Sequence, residues 1–250
     1  MSIRKISNIS RFVKSKYAID DVKQYMFHDE TVFRWGSQKV FFYACGQDKP
    51  LLWMDIPKNA SSTFKSSMTA NGHDITGKHV NKNAVAFADT ILAFVRDPRK
   101  RWLSGLVEYI NLRSFHFEHF DTKSRQAIVE SVVDIHNCDE HSGEQISYFT
   151  DLPVHKFKIW LIDEPNFTME AVFKWISENC SHMDLSRAPI VHENRSKDIH
   201  KKMLIAGEIN DYLTRKNPKG EPRDTYMKHR FDADYAMIEY FKEQDLVVNK

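Results

Sequence analysis

Apolar residues fall into short continuous runs, and the segments between those runs carry helical spacing. Lys39 to Cys45 (KVFFYAC) and Leu51 to Ile56 (LLWMDI) are two such runs, divided by a turn of the composition found in Gly46 to Pro50. Thr90 to Val95 (TILAFV) is apolar almost throughout, the pattern of a strand buried on both faces of a sheet. Lys156 to Ile162 (KFKIWLI) reads as a further buried strand. Elsewhere the period lengthens. Ile19, Val22 and Met26 stand near helical spacing, so residues 1–30 are expected to form an arm or helix. A helix is expected near Phe64 to Ala70, after a polar turn of small residues. Asp97 and Pro98 supply an N-cap and a first helical residue. Trp102, Leu103, Leu106, Val107 and Ile110 then line one face of the helix they open. Further helices are predicted near Lys123 to Ile135, Met169 to Asn179 and Ala233 to Lys242.

Strands alternating with helices imply parallel crossovers and an α/β fold with helices on both sides of a sheet. The 250 residues, 42% apolar and 12% aromatic, suffice for one sizeable core. No repeat and no linker is visible, so residues 1–250 are expected to form a single domain. A net charge of only +2 argues against a nucleic-acid partner. The charge is uneven, however: Arg96 to Arg101 holds four cations against one acid, and local positive potential suits a small phosphate-rich ligand. Cys45, Cys138 and Cys180 are far apart and show no CxxC spacing, which predicts neither a zinc site nor a disulfide framework. Three reduced thiols are expected instead, and with them a cytoplasmic location. No apolar run approaches the ~18–20 residues of a membrane span. Met1 to Lys16 lacks the apolar core of a secretory signal.

Two segments carry candidate chemistry. Pro57-Lys58-Asn59-Ala60-Ser61-Ser62-Thr63 sits between a strand and a helix. A helix N-terminus offers unpaired N–H groups and partial positive charge, so a lysine and hydroxyls placed there make a phosphate cradle. The pattern is not a Walker A loop, because GxxxxGK[ST] is absent. An ordinary capped turn is the plainer alternative. The second segment begins at Arg96, directly after TILAFV. Ligand loops in open α/β sheets gather at the carboxyl ends of strands, which places Arg96 on the same edge as the first loop. An arginine fork suits a pair of phosphate oxygens, and Ser104 offers a hydroxyl. A salt bridge at a helix start is the plainer reading of Arg96 alone.

Together the segments resemble the sulfotransferases that use 3′-phosphoadenosine 5′-phosphosulfate (PAPS). That family carries Pro-Lys-x-x-Ser-[Ser/Thr]-[Ser/Thr] after its first strand and Arg-Asp-Pro-x-x-Arg-x-x-Ser after a later one. Pro57 to Thr63 and Arg96-Asp97-Pro98-Arg99-Lys100-Arg101-Trp102-Leu103-Ser104 match every fixed position of the two. His192-Glu193-Asn194-Arg195-Ser196 resembles a His-x-Asn-x-Ser segment near the nucleotide. Phe231 to Met237 resembles the Asp-Tyr helix of the carbohydrate, Golgi-type branch. Residues 105–185, which should help to hold the acceptor, show little resemblance to the family.

The resemblance implies a P-loop-NTPase-like three-layer sandwich with a central, mainly parallel sheet flanked by helices. It implies transfer of a sulfuryl group from PAPS to a hydroxyl of a glycan or hydroxylated metabolite, releasing 3′-phosphoadenosine 5′-phosphate (PAP) without a metal. Lys58 would stabilise the leaving phosphate. The N–H groups of Asn59, Ala60, Ser61, Ser62 and Thr63 would hold the 5′-phosphate, and Arg96 and Ser104 the 3′-phosphate. Asn194 and Ser196 would line the nucleotide pocket. A general base is needed at the acceptor. His79 is preferred, then His73, then Glu144 in the loop that also holds His141. Competing readings are a small-molecule kinase on the same fold and a non-catalytic nucleotide-binding relative. A trimmed Golgi-type catalytic domain is the alternative to a cytoplasmic enzyme. Trp53 and Trp102 are expected in the core.

Overall fold

The computed structural model describes residues 51–73, 75, 85, 87–114, 116–133, 142–149, 152–180, 183–185, 188–191, 198–215, 220, 223 and 231–249, together with the backbone of 40–45, 79–80, 84 and 86. The chain divides into two compact units built from interleaved segments. One comprises Met1–Gly36, Trp102–Gly143 and Lys197–Phe231; the other comprises Ser37–Arg101, Glu144–Ser196 and Asp232–Lys250. Each unit is discontinuous in sequence, so no single linker divides them.

The second unit holds the sheet. Its strands are β1 (Val40–Cys45), β2 (Leu51–Asp55), β3 (His79–Val80), β4 (Thr90–Val95) and β5 (Phe157–Leu161), in the order β3-β1-β2-β4-β5. β2, β4 and β5 pair in parallel, with Met54 opposite Ala93 and Val95 opposite Leu161. The expected parallel arrangement holds for these three strands and stops there. β1 pairs antiparallel with β2, and β3 antiparallel with β1. The reason is the short connection: residues 46–50 cannot form a crossover, which needs about a dozen residues or more, but they can turn a hairpin.

Both faces of the parallel strands are covered. Leu52, Met54, Ile91, Ala93, Ile159 and Leu161 pack on one face with Met237, Ile238 and Phe241 of helix α7 (Asp232–Glu243). Leu51, Trp53, Leu92, Phe94 and Trp160 pack on the other with Phe64 and Met68 of α1 (Ser61–Ala70) and with Val172, Phe173 and Ile176 of α5 (Met169–Asn179). The alternation along each strand sends neighbouring residues to opposite cores. Trp53 is fully buried against Phe64, with ring centroids 4.8 Å apart. Beyond β5 the tail adds a bridge, with the Val248 N–H donating to Ile159 O at 2.9 Å and the Asn249 side chain bonding both main-chain groups of Leu161. A one-turn helix α2 (Ala84–Phe87) precedes β4.

Helix α3 (Pro98–Arg113) starts in this unit and passes into the other at Trp102. Its start is as expected: Asp97 Oδ1 accepts the Lys100 N–H at 2.8 Å. The other unit packs α3 against α4 (Thr122–Val133) and α6 (Ile199–Thr214) through Trp102, Leu106, Ile128, Val132, Ile205 and Ile209. Ion pairs Arg125–Glu208 (2.7 Å) and Lys202–Glu108 (2.8 Å) flank that core. The buried Ile205, Ile209, Tyr212 and Leu213 of α6 follow the helical period. Among the described residues no helix is long and apolar enough to cross a membrane.

Cys180 is disulfide-bonded. This overturns the expectation of three reduced thiols and removes the ground on which the chain was assigned to the cytoplasm. Wide spacing in sequence says nothing about distance in space, which is what a disulfide requires.

Candidate anion-binding site

β2 ends at Asp55 and α1 begins at Ser61. The chain reverses between them in a tight turn closed by the Asn59 N–H on Ile56 O (3.2 Å) and by Ser61 Oγ on the same oxygen (2.9 Å). Lys58 has φ 67° and Ala60 φ 60°, so two residues with a β-carbon occupy the left-handed region. Each such residue costs about 1–2 kcal/mol. The first helical bond is the Phe64 N–H on Ala60 O at 3.0 Å, and no side chain caps α1. Consequently the N–H groups of Ala60, Ser61, Ser62 and Thr63 have no hydrogen-bond partner among the described residues. Consecutive free amides in a left-handed turn, at the positive end of a helix, form a concavity suited to an anion. Lys58 lies in the same turn, half-buried, and Ser62 is exposed.

The turn is held by the second segment. Asn59 is buried, and its Nδ2 donates to Phe94 O (2.8 Å) and to Gln145 Oε1 (2.7 Å). Arg101, also buried, donates from Nε to Pro57 O at 3.0 Å. Gln145 Oε1 accepts the Arg96 N–H (3.1 Å), and Gln145 Nε2 donates to Arg96 O (2.8 Å). The two segments singled out in sequence are therefore bonded to each other at the carboxyl edge of adjacent parallel strands. Compared with known proteins, the chain matches no family model, no curated protein and no solved structure.

Gln145 opens the 3₁₀ turn Gln145–Tyr148, which is capped from α7: Asp234 Oδ2 and Oδ1 accept the N–H groups of Gln145 (3.0 Å) and Ile146 (2.7 Å). Burial pushes the Asp234 carboxyl above its ordinary range, although these two N–H groups and the nearby Arg101 pull it down. The Arg96 guanidinium makes a long ion-pair contact, Nε to Asp163 Oδ2, at 3.8 Å. Asp163 also accepts the Asp97 N–H (2.8 Å) and Lys100 Nζ (3.0 Å). Tyr235 donates its O–H to Asp97 Oδ2 at 3.1 Å. Burial first, and then the Asp97 carboxylate, push the Tyr235 phenol up to about 12, so it serves as a neutral donor.

The structure thus brings Pro57 to Thr63 and Arg96 together. The Asn59 N–H is turned inward to Ile56, which leaves four loop amides available rather than five. Ser104 is half-buried on α3, in the part belonging to the other unit. His73 donates its N–H to Met68 O beyond the last turn of α1. The ten-residue length of α1 separates His73 from the loop by about 15 Å. The backbone of His79 pairs with Phe42, level with Trp53 in the sheet. Glu144 immediately precedes the clamping Gln145. His141, Asn194 and Ser196 lie outside the described residues. Val191, which precedes that last segment, is tied to α1 by its N–H on Ser67 Oγ at 2.8 Å. Gln145 and Asp163 were not singled out in sequence. A lone Gln or Asp in a loop carries no motif, and only the sheet edge gives each its role. Arg101 occupies a fixed position of the second motif, which was the signal available for it.

Proposed function

We propose that this chain is a PAPS-dependent sulfotransferase acting on a hydroxyl of a glycan or hydroxylated metabolite. The observation that supports it most is the direct bonding of an uncapped helix N-terminus, with four free amides and Lys58, to the Arg96 segment. One donor molecule with phosphates at both the 5′ and 3′ positions needs two anion sites at a fixed separation. Adjacent parallel strands supply that separation. We read the helix-covered sheet as the centre of a P-loop-NTPase-like three-layer sandwich.

In the transfer, the acceptor oxygen forms a bond to sulfur as the bond from sulfur to the 5′-phosphate oxygen breaks. The acceptor proton passes to a base, and PAP leaves carrying the electron pair. Charge grows on the leaving phosphate, where the Lys58 ammonium and the amides of Ala60 to Thr63 stabilise it. Positioning accounts for the rest, as in phosphoryl transfer. His79 remains the first choice of base, followed by Glu144, because His73 stands at the far end of α1. The disulfide at Cys180 favours an oxidising compartment, in keeping with a Golgi-type catalytic domain.

Calorimetric titration with PAP, 5′-AMP and ATP tests the proposal. PAP is expected to bind at least tenfold more tightly than AMP, with that preference lost in Arg96→Ala. Equal binding of PAP, AMP and ATP, or binding of none, would sink it, and comparable ATP affinity would favour a kinase.

A further inference from the structure

We infer that Gln145 is a positioning residue that sets the spacing between the loop and Arg96. Its side chain is fully buried and makes three hydrogen bonds: Oε1 accepts from Asn59 Nδ2 (2.7 Å) and the Arg96 N–H (3.1 Å), while Nε2 donates to Arg96 O (2.8 Å). Its own N–H is fixed by Asp234 Oδ2 at 3.0 Å. One carboxamide therefore grips both main-chain groups of the residue that carries the guanidinium, and also the side chain at the centre of the strained turn.

Arg96 is the first residue after β4, where sheet pairing no longer dictates its backbone. Gln145 replaces that pairing. A carboxamide is suited to the task because it presents a donor and an acceptor side by side, the complement of a peptide group. Glutamate of the same size has no donor for Arg96 O, and alanine has neither group. Gln145 touches no reacting atom. It acts through Arg96 and Asn59, and its role in nucleotide preference rests on the function proposed above.

Two measurements test the clamp. Calorimetry on Gln145→Ala should show PAP affinity reduced about tenfold or more and AMP affinity reduced much less, so that the preference for PAP collapses as in Arg96→Ala. Combining the two substitutions should add little. Gln145→Glu, which keeps the volume and the acceptors, should move the same way if the alanine variant fails to fold. A drop in melting temperature with the PAP preference intact would show a merely structural role and overturn the inference.

The second measurement needs no ligand. In amide NMR spectra, Asn59→Ala should shift the Arg96 N–H resonance in the wild-type background and leave it nearly unmoved in the Gln145→Ala background. An equal shift in both backgrounds refutes the clamp. If wild type shows no preference for PAP, the sulfotransferase proposal fails by itself, and the NMR comparison still decides the clamp.

Discussion

Replacing Lys58 by alanine and by glycine isolates the strain in the turn. Both variants lack the ammonium and the side-chain stem, so they differ only in one β-carbon at a residue with φ 67°. In a helix or strand the Ala-to-Gly step destabilises a protein by about 0.5–1 kcal/mol. At Lys58 the sign should reverse. The left-handed conformation costs alanine about 1–2 kcal/mol, and glycine gives back about 0.4–1 kcal/mol through its freer unfolded chain. The difference leaves Lys58→Gly more stable than Lys58→Ala by about 1 kcal/mol, a melting temperature higher by about 2–4 °C for a chain of this size. Urea unfolding with linear extrapolation measures this, provided the slopes of the two variants agree. If the proposed sulfotransferase function holds, neither variant should transfer sulfuryl groups at an appreciable rate, because Lys58 is the cation proposed to stabilise the leaving phosphate. A glycine variant less stable than the alanine variant would mean that Lys58 is not left-handed in solution. The row of free amides built on that turn would fall with it.

The other predictions concern burial and covalent linkage. Asp234 is buried and its folded-state pKa lies above the ordinary value of 3.8. The folded state therefore holds the proton through a window in which the unfolded state has lost it, and stability falls as pH rises through that window. The stability of wild type minus that of Asp234→Asn should decrease from below pH 3.8 upward, and a difference that grows with pH would mean that the two N–H donors outweigh burial. With Cys180 in a disulfide, thiol titration of the unfolded, unreduced chain should count one free thiol from three cysteines. Cys180→Ser should lower stability by about 2–4 kcal/mol, and a count of three thiols would refute the bond.

What the sequence determined by itself is local. Ile91 to Val95 of TILAFV are buried on both faces because each of these side chains has an apolar partner whichever way it points, and a continuous apolar run is the pattern that permits this. Asp97-Pro98 opened α3 because a side-chain acceptor and a fixed φ act within three residues. The loop from Pro57 to Thr63 was legible for the same reason, since its chemistry lies in consecutive residues between a strand and a helix. The hairpin of β1 and β2 was also within reach, because five residues cannot form a crossover.

Tertiary structure decided what depends on residues far apart in the chain. Gln145 acquires its role only when a 3₁₀ turn, capped by Asp234 from the last helix, is laid against the ends of β2 and β4. Asp163 meets Arg96 because β5 is the parallel neighbour of β4. His73 is close to the loop in sequence and remote from it in space, because a helix of ten residues carries the chain to its other end. The Cys180 disulfide was hidden for the converse reason, joining in space what the sequence keeps apart. Spacing reports helix and strand because their bonds are local, whereas the loop, the Arg96 segment and the 3₁₀ turn are joined to one another and to Asp234 by side-chain bonds whose partners lie 35 to 89 residues apart.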